Sequence, residues 1–243
     1  MLELSGRRAL VTGAGRRVGA EIARALGRAG MHVGVHYHSA AAGADATCAA
    51  IRADGGQATP LAADLSDRAA ARALVDRALA ALGGLDLLVL SAANFERAPL
   101  ERIDDAVWDA ALALNLTAPF VIAQRAAPAL RAARGSIVVI TCTSRLSPYR
   151  DYLAYEASKA GLHQVMRVLA LELAPDVRVN AVAPGSVQPP DSFSAAQRAE
   201  LAARIPLAKL GDAADVADAV LHLARSEWMT GSEIVVDGGR TLT

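Results

Sequence analysis

Short apolar runs alternate along this chain with longer stretches in which Ala, Leu and Arg recur at helical spacing. The apolar runs predict strands from Arg8 to Val11, Val33 to Tyr37, Ala58 to Ala62, Leu85 to Leu90, Ser136 to Thr141, Val177 to Val182 and Glu233 to Val236. Helices are predicted between them, near residues 17–29, 40–53, 67–82, 102–132, 152–173 and 212–226. Ile137-Val138-Val139-Ile140 is apolar at every position rather than alternating. That suits a strand of a parallel sheet covered on both faces. Strand and helix in regular succession imply right-handed βαβ units. The expected fold class is therefore α/β, a doubly wound, seven-stranded parallel sheet with helices on both faces. Pro184-Gly185 and Pro189-Pro190 interrupt the alternation, and residues 186–206 predict an excursion over the C-terminal edge of the sheet, where a substrate lid would sit.

Composition narrows the function classes. The 243 residues suffice for one α/β domain over 1–243, with no linker, repeat or low-complexity tail. Lys plus Arg and Asp plus Glu both number 25, so no net charge draws the protein to nucleic acid or an anionic membrane. No run of about eighteen apolar residues suggests a spanning helix. Met1 to Gly6 lacks the basic and apolar regions of a signal peptide. Cys48 and Cys142 make no disulfide framework, and no metal site is expected. The expectation is a soluble cytoplasmic protein acting on a small molecule.

Candidate chemistry begins at Tyr155-Glu156-Ala157-Ser158-Lys159, where a phenol and an ammonium stand one helical turn apart on one face. A nearby positive charge would draw the phenol's pKa down and make it a proton donor to a carbonyl receiving hydride. The same spacing also occurs as a plain solvated helix pair. Upstream, Thr12-Gly13-Ala14-Gly15-Arg16-Arg17-Val18-Gly19 joins the first strand to the first helix. Glycines there let backbone approach a pyrophosphate at a helix N-terminus. Arg17 stands where a third close-approach glycine would fall; it faces solvent or reaches an anion of cofactor or substrate. The second strand ends His36-Tyr37-His38-Ser39 with no carboxylate for a ribose 2′-hydroxyl, while Arg16, His38 and Ser39 offer donors to a 2′-phosphate. NADPH is therefore expected over NADH, and His36 reads as a surface residue. Asp64 either meets an adenine or caps the helix beginning near Asp67.

With these segments, Asn115-Leu116-Thr117, Val179 to Gly185 and Val236-Asp237-Gly238-Gly239 in place, residues 5–243 resemble the short-chain dehydrogenase/reductase family, a single Rossmann domain. Arg17, His36-Tyr37-His38 and Tyr152 look most like its pteridine reductase branch. The resemblance implies Tyr155 as proton donor, Lys159 as ribose anchor, and Asn115 holding a helix kink and a water-linked proton path. It implies NADP(H) bound by Gly13, Arg16, Arg17, Val18, Gly19, Tyr37, His38, Ser39, Asp64, Leu65, Tyr155, Lys159, Pro184, Gly185 and Val187. Substrate would meet Arg17, Phe95, Cys142, Ser144 and Tyr152. A homotetramer pairing the long helices is implied as well.

Three departures from the family pattern bear on activity. Cys142 occupies the place of a serine, or of an aspartate in pteridine reductases, and as a thiol is a weak donor. It polarises the substrate weakly or only shapes the pocket; Ser144, two residues on, lies on the same side if the strand continues. Leu90-Ser91-Ala92-Ala93 replaces the family's Asn-Asn-Ala-Gly, and Pro189 replaces a threonine. The expected function is NADPH-dependent hydride transfer to a C=O or C=N of a small cyclic substrate such as a pterin. The alternatives are a 3-oxoacyl-thioester or general ketone reductase, and a degenerate NADP(H)-binding sensor.

Overall fold

A computed structural model describes residues 1–189 and 193–243; Pro190, Asp191 and Ser192, inside the expected lid, lie outside the described residues. The strands are β1 (Arg8–Val11), β2 (His32–Tyr37), β3 (Gln57–Ala62), β4 (Leu87–Leu90), β5 (Ser136–Ile140), β6 (Arg178–Pro184) and β7 (Glu233–Val236). They form one parallel sheet in the order β3-β2-β1-β4-β5-β6-β7. The helices are α1 (Arg17–Arg28), α2 (Ala41–Ala53), α3 (Arg68–Leu82), α4 (Asp105–Leu112), α5 (Ala118–Ala133), α6 (Leu153–Leu173), α7 (Ala195–Ala203) and α8 (Ala213–Arg225).

The period of two along a strand divides its apolar residues between two cores. Leu10, Leu88 and Ile137 pack with Leu74, Ile122, Leu130 and Met166 of α3, α5 and α6. Their neighbours Val11, Val89 and Val138 pack on the other face with Ile22, Leu26, Ile51 and Val220 of α1, α2 and α8. Both faces being covered explains the continuous apolar runs. Strand order reverses at β1 and β4, so the connections leaving their C-terminal ends diverge and open a crevice there.

Two elements differ from expectation. The helix anticipated over 102–132 is three pieces: a short 3₁₀ turn at Leu100–Arg102, then α4 and α5 joined through a π turn at Ala113–Thr117. Asp104 caps α4 by accepting the Val107 N–H at 2.9 Å. The run Asp105–Ala133 is also long and apolar enough, by length and composition, to cross a membrane, although polar residues interrupt it. In the fold it packs Val121, Ile122 and Leu130 into the core. Within the expected lid, α7 is a helix begun by a capping box between Ser194 and Gln197, a Ser-x-x-Gln signal readable in sequence but missed.

Candidate active site

A cleft of about 790 Å³ lies along the C-terminal edge of the sheet, reaching from Tyr37 and His38 to Tyr155 and Arg240. At its first end the glycine turn is fixed from below. Gly13 has φ +69, and a Cβ there would meet Ala92 Cα at 2.8 Å. One on Gly19 would meet the Gly13 carbonyl oxygen at 2.3 Å. Only glycine permits this proximity of turn, strand end and helix. The Thr12 hydroxyl accepts the N–H groups of Ser91 at 2.9 Å and Ala92 at 3.1 Å, tying β1 to the loop after β4. That bond supports the segment in which Leu90 stands for an asparagine.

His36 is not a surface residue. It is 2% exposed, its Nδ1 accepts the Gly13 N–H at 3.0 Å, and its Nε2 lies 3.1 Å from the Ala63 carbonyl. Those two partners fix the neutral tautomer with the proton on Nε2. Burial pushes its pKa down to about 4. The imidazole thus clamps the turn to the end of β3. The signal was a histidine inside an apolar strand, but partners that are backbone atoms leave no trace in sequence.

The cofactor candidates largely converge. Gly13, Arg16, Arg17, Val18, Gly19, Tyr37, His38, Ser39, Asp64 and Leu65 all line the cleft. Arg17 begins α1 at φ +53, a left-handed conformation uncommon outside glycine, and its guanidinium donates across the cleft to the Gln188 carbonyl. The start of α1 has neither a side-chain cap nor an acidic residue in its first turn, so its N–H groups and positive dipole are open to an anion. Asp64 does not cap α3; Asp67 does, accepting the Ala69 N–H at 2.6 Å. Asp64 instead accepts the Ser66 N–H and hydroxyl, which hold its pKa low, and lies 4.0 Å from His38. Across the cleft Pro184 ends β6 and Gly185 and Val187 follow it, with Val187 bridged to Gly211.

At the second end Tyr155 and Lys159 share one face of α6, with Nζ 5.8 Å from the phenol ring centre. Lys159 Nζ donates to the Ile140 carbonyl at 2.8 Å, and burial pushes its pKa down to about 8. The expected lowering of the phenol is not the balance in this geometry. Burial first, then the neighbouring Cys142, push Tyr155 well above the ordinary phenol value. The phenol therefore keeps its proton through the neutral range. Asn115 is fully buried in the π turn, accepting the Asn94 N–H at 3.0 Å and donating to the Asn94 carbonyl at 3.2 Å and Ser158 Oγ at 3.1 Å. Those bonds hold the kink and place no contact on Tyr155 itself.

Cys142 lines the cleft, and its sulfur accepts the Ser144 N–H at 3.4 Å. Ser144 does not reach the cleft. The strand ends at Ile140 and the chain enters a 3₁₀ turn at Thr143–Arg145, so the two-residue period fails and the Ser144 hydroxyl is buried without a partner among the described residues. Phe95 and Tyr152 do reach the cleft, stacked at 4.3 Å with their planes 12° apart, and Phe95 also meets the Tyr155 ring edge-on at 4.7 Å. Sequence reasoning missed Tyr149. Its hydroxyl lies 3.1 Å from Thr143 Oγ1, and burial with Cys142 close by pushes its pKa up to about 12.

Residues 13–241 match the family model described as enoyl-(acyl carrier protein) reductase. The chain is 35% identical over 249 residues to 3beta-hydroxysteroid dehydrogenase 1 of Eggerthella lenta, covering 99% of this chain and 95% of that one. A dehydrogenase/reductase from Sinorhizobium meliloti 1021 has the same fold with a TM-score of 0.92 and 35% identity, covering 98% of this chain and 97% of that one. The angucycline C-6 ketoreductase LanV, solved with bound NADP, superposes with a TM-score of 0.93 at 31% identity, covering 99% of this chain and 98% of that one.

Proposed function

The chain belongs to the short-chain dehydrogenase/reductase family, and from that premise we propose that this NADP-dependent oxidoreductase reduces the carbonyl of a small cyclic substrate. The observation that carries the reading is the meeting of a protonated Tyr155, Lys159 and Cys142 at one end of a cleft whose other end is built for an anionic dinucleotide. The bare α1 N-terminus fits a pyrophosphate, and Arg16, His38 and Ser39 fit a 2′-phosphate. NADPH, when bound, supplies the hydride. The chain's own part is protonation: as charge develops on the carbonyl oxygen, the Tyr155 hydroxyl donates its proton to it. Lys159 anchors the ribose and offsets the resulting phenolate, and Cys142 shapes the wall beside the reacting carbon. Residues 1–243 act as one unit, with 186–206 as its lid, assembled as a homotetramer.

The narrower reading is a pterin with a C=N bond, as in the pteridine reductase branch. Arg17 in the cleft and the stacked Phe95–Tyr152 pair support it; cysteine in place of aspartate at position 142 weighs against it. A 3-oxoacyl thioester is the alternative, supported by a relative from Streptomyces violaceoruber, 34% identical and covering 96% of this chain, that is described as granaticin polyketide synthase putative ketoacyl reductase 2. NADPH consumption measured across cyclic ketones, aldehydes, quinones, acyl thioesters and dihydropterins separates these. With the best carbonyl substrate, Tyr155→Phe should lower kcat at least about a hundredfold while NADPH affinity stays within about two-fold. Normal turnover by that variant would remove Tyr155 as the donor.

A further inference from the structure

The substrate end of the cleft carries charge that carbonyl reduction does not use. Among the described residues lining the whole cleft, Asp64 is the sole carboxylate, and it stands at the cofactor end beside His38. Besides Lys159 beside Tyr155, the lining cations away from the glycine turn are Arg150, Arg204 and Arg240. Arg204 is answered by Glu200. The Arg150 and Arg240 side chains have no hydrogen bond or ion pair among the described residues. Arg240 acts through charge on Asp237, but both Asp237 oxygens already accept N–H groups, of Gly239 and Thr241, at 2.8 Å each.

Arg240 begins the last 3₁₀ turn, Arg240–Leu242, and is close enough to the Tyr149 phenol to favour its anion. Tyr149 in turn faces Cys142, which faces the Tyr155 hydroxyl. The unpaired guanidinium therefore opens on the reacting end and not on the glycine turn. Tyr152 lies edge-on to Tyr149 with ring centres 6.3 Å apart and stacks on Phe95, so a flat ring system can extend the stack on an outer face of that pair. A guanidinium left without a partner in a partly dry cleft gains most from a planar anion that it can grip with two parallel bonds.

We propose that the substrate is a planar cyclic or aryl ketone bearing a carboxylate, its ring against Phe95 and Tyr152 and its acid group held by Arg240, with Arg150 at the lip. The assignment deepens the carbonyl-reductase reading and rests on it. The test compares 4-acetylbenzoate with its neutral isostere 4-acetylbenzamide, using NADPH. The acid should be favoured in kcat/KM by about tenfold or more, the worth of one charge-assisted pair. Arg240→Gln should bring that ratio within about two-fold and leave NADPH affinity within about two-fold. Equal kcat/KM for the two compounds, a preference that survives Arg240→Gln, or a parallel loss of NADPH affinity would overturn the proposal. Calorimetric titration of both compounds into the NADP⁺-loaded parent and variant reads the same ratio without turnover. Failure to reduce either compound would therefore count against the carbonyl-reductase reading for aryl ketones, while equal affinities would count against the acid pocket.

Discussion

His36 makes two hydrogen bonds that only a neutral ring can make together, one accepted from Gly13 and one donated to Ala63. Its pKa falls from 6.5 to about 4 on burial, so between those values the unfolded chain binds a proton that the folded one does not. Stability is then complete above about pH 6.5 and is lost as pH falls toward 4, by about 3 kcal/mol for this group. Urea unfolding at pH 7 and pH 4.5 should show a steeper loss in the parent than in His36→Gln, which keeps a donor and an acceptor but no titration. Identical slopes would mean the clamp is not neutral in solution. At this scale Tyr155 and Lys159 were legible because a helical period places them, and Phe95 and Tyr152 because the resemblance did. Ser144 was misplaced because its placement assumed an extended backbone that ends at Ile140. Tyr149 joins the cleft from a loop and Arg240 from a terminal 3₁₀ turn, and no periodicity encodes the path of either.

The elements were legible wherever burial is two-sided or amphipathic, and the strand limits differ from expectation by two residues at most. The kink at the π turn was legible only through the resemblance that assigned it to Asn115; periodicity missed it, because it is held by tertiary bonds from Asn115 to Asn94 and Ser158 rather than by local preference. At α1 the element itself makes a prediction. With no cap, no acid in the first turn and Arg16 at the N-cap, its start and the end of β2 form one donor surface. Arg16→Ala should weaken NADPH about ten- to a hundredfold and NADH by no more than about two-fold, as a charge-assisted pair with a 2′-phosphate requires. Titrating both cofactors into both proteins decides it; equal losses would place Arg16 on the pyrophosphate instead.

For the whole molecule, large apolar side chains remain exposed on the outer helices and the edge strand: Phe120 on α5, Leu171 on α6 at 80%, and Val235 on β7. Such surface suits burial between copies. Light scattering should give four times the mass of one chain, and Phe120→Arg with Leu171→Arg should lower it; a monomeric parent would end the tetramer proposal. The strand order also has a consequence in time. Central β1 leans on β4, and Gly13 rests against Ala92 with Thr12 bonded to the same loop. During synthesis, then, the glycine turn emerges early but has no floor until some eighty residues later. The nascent chain must carry the motif unbuilt, its most recognisable sequence unable to grip a dinucleotide until the sheet's second half begins to arrive.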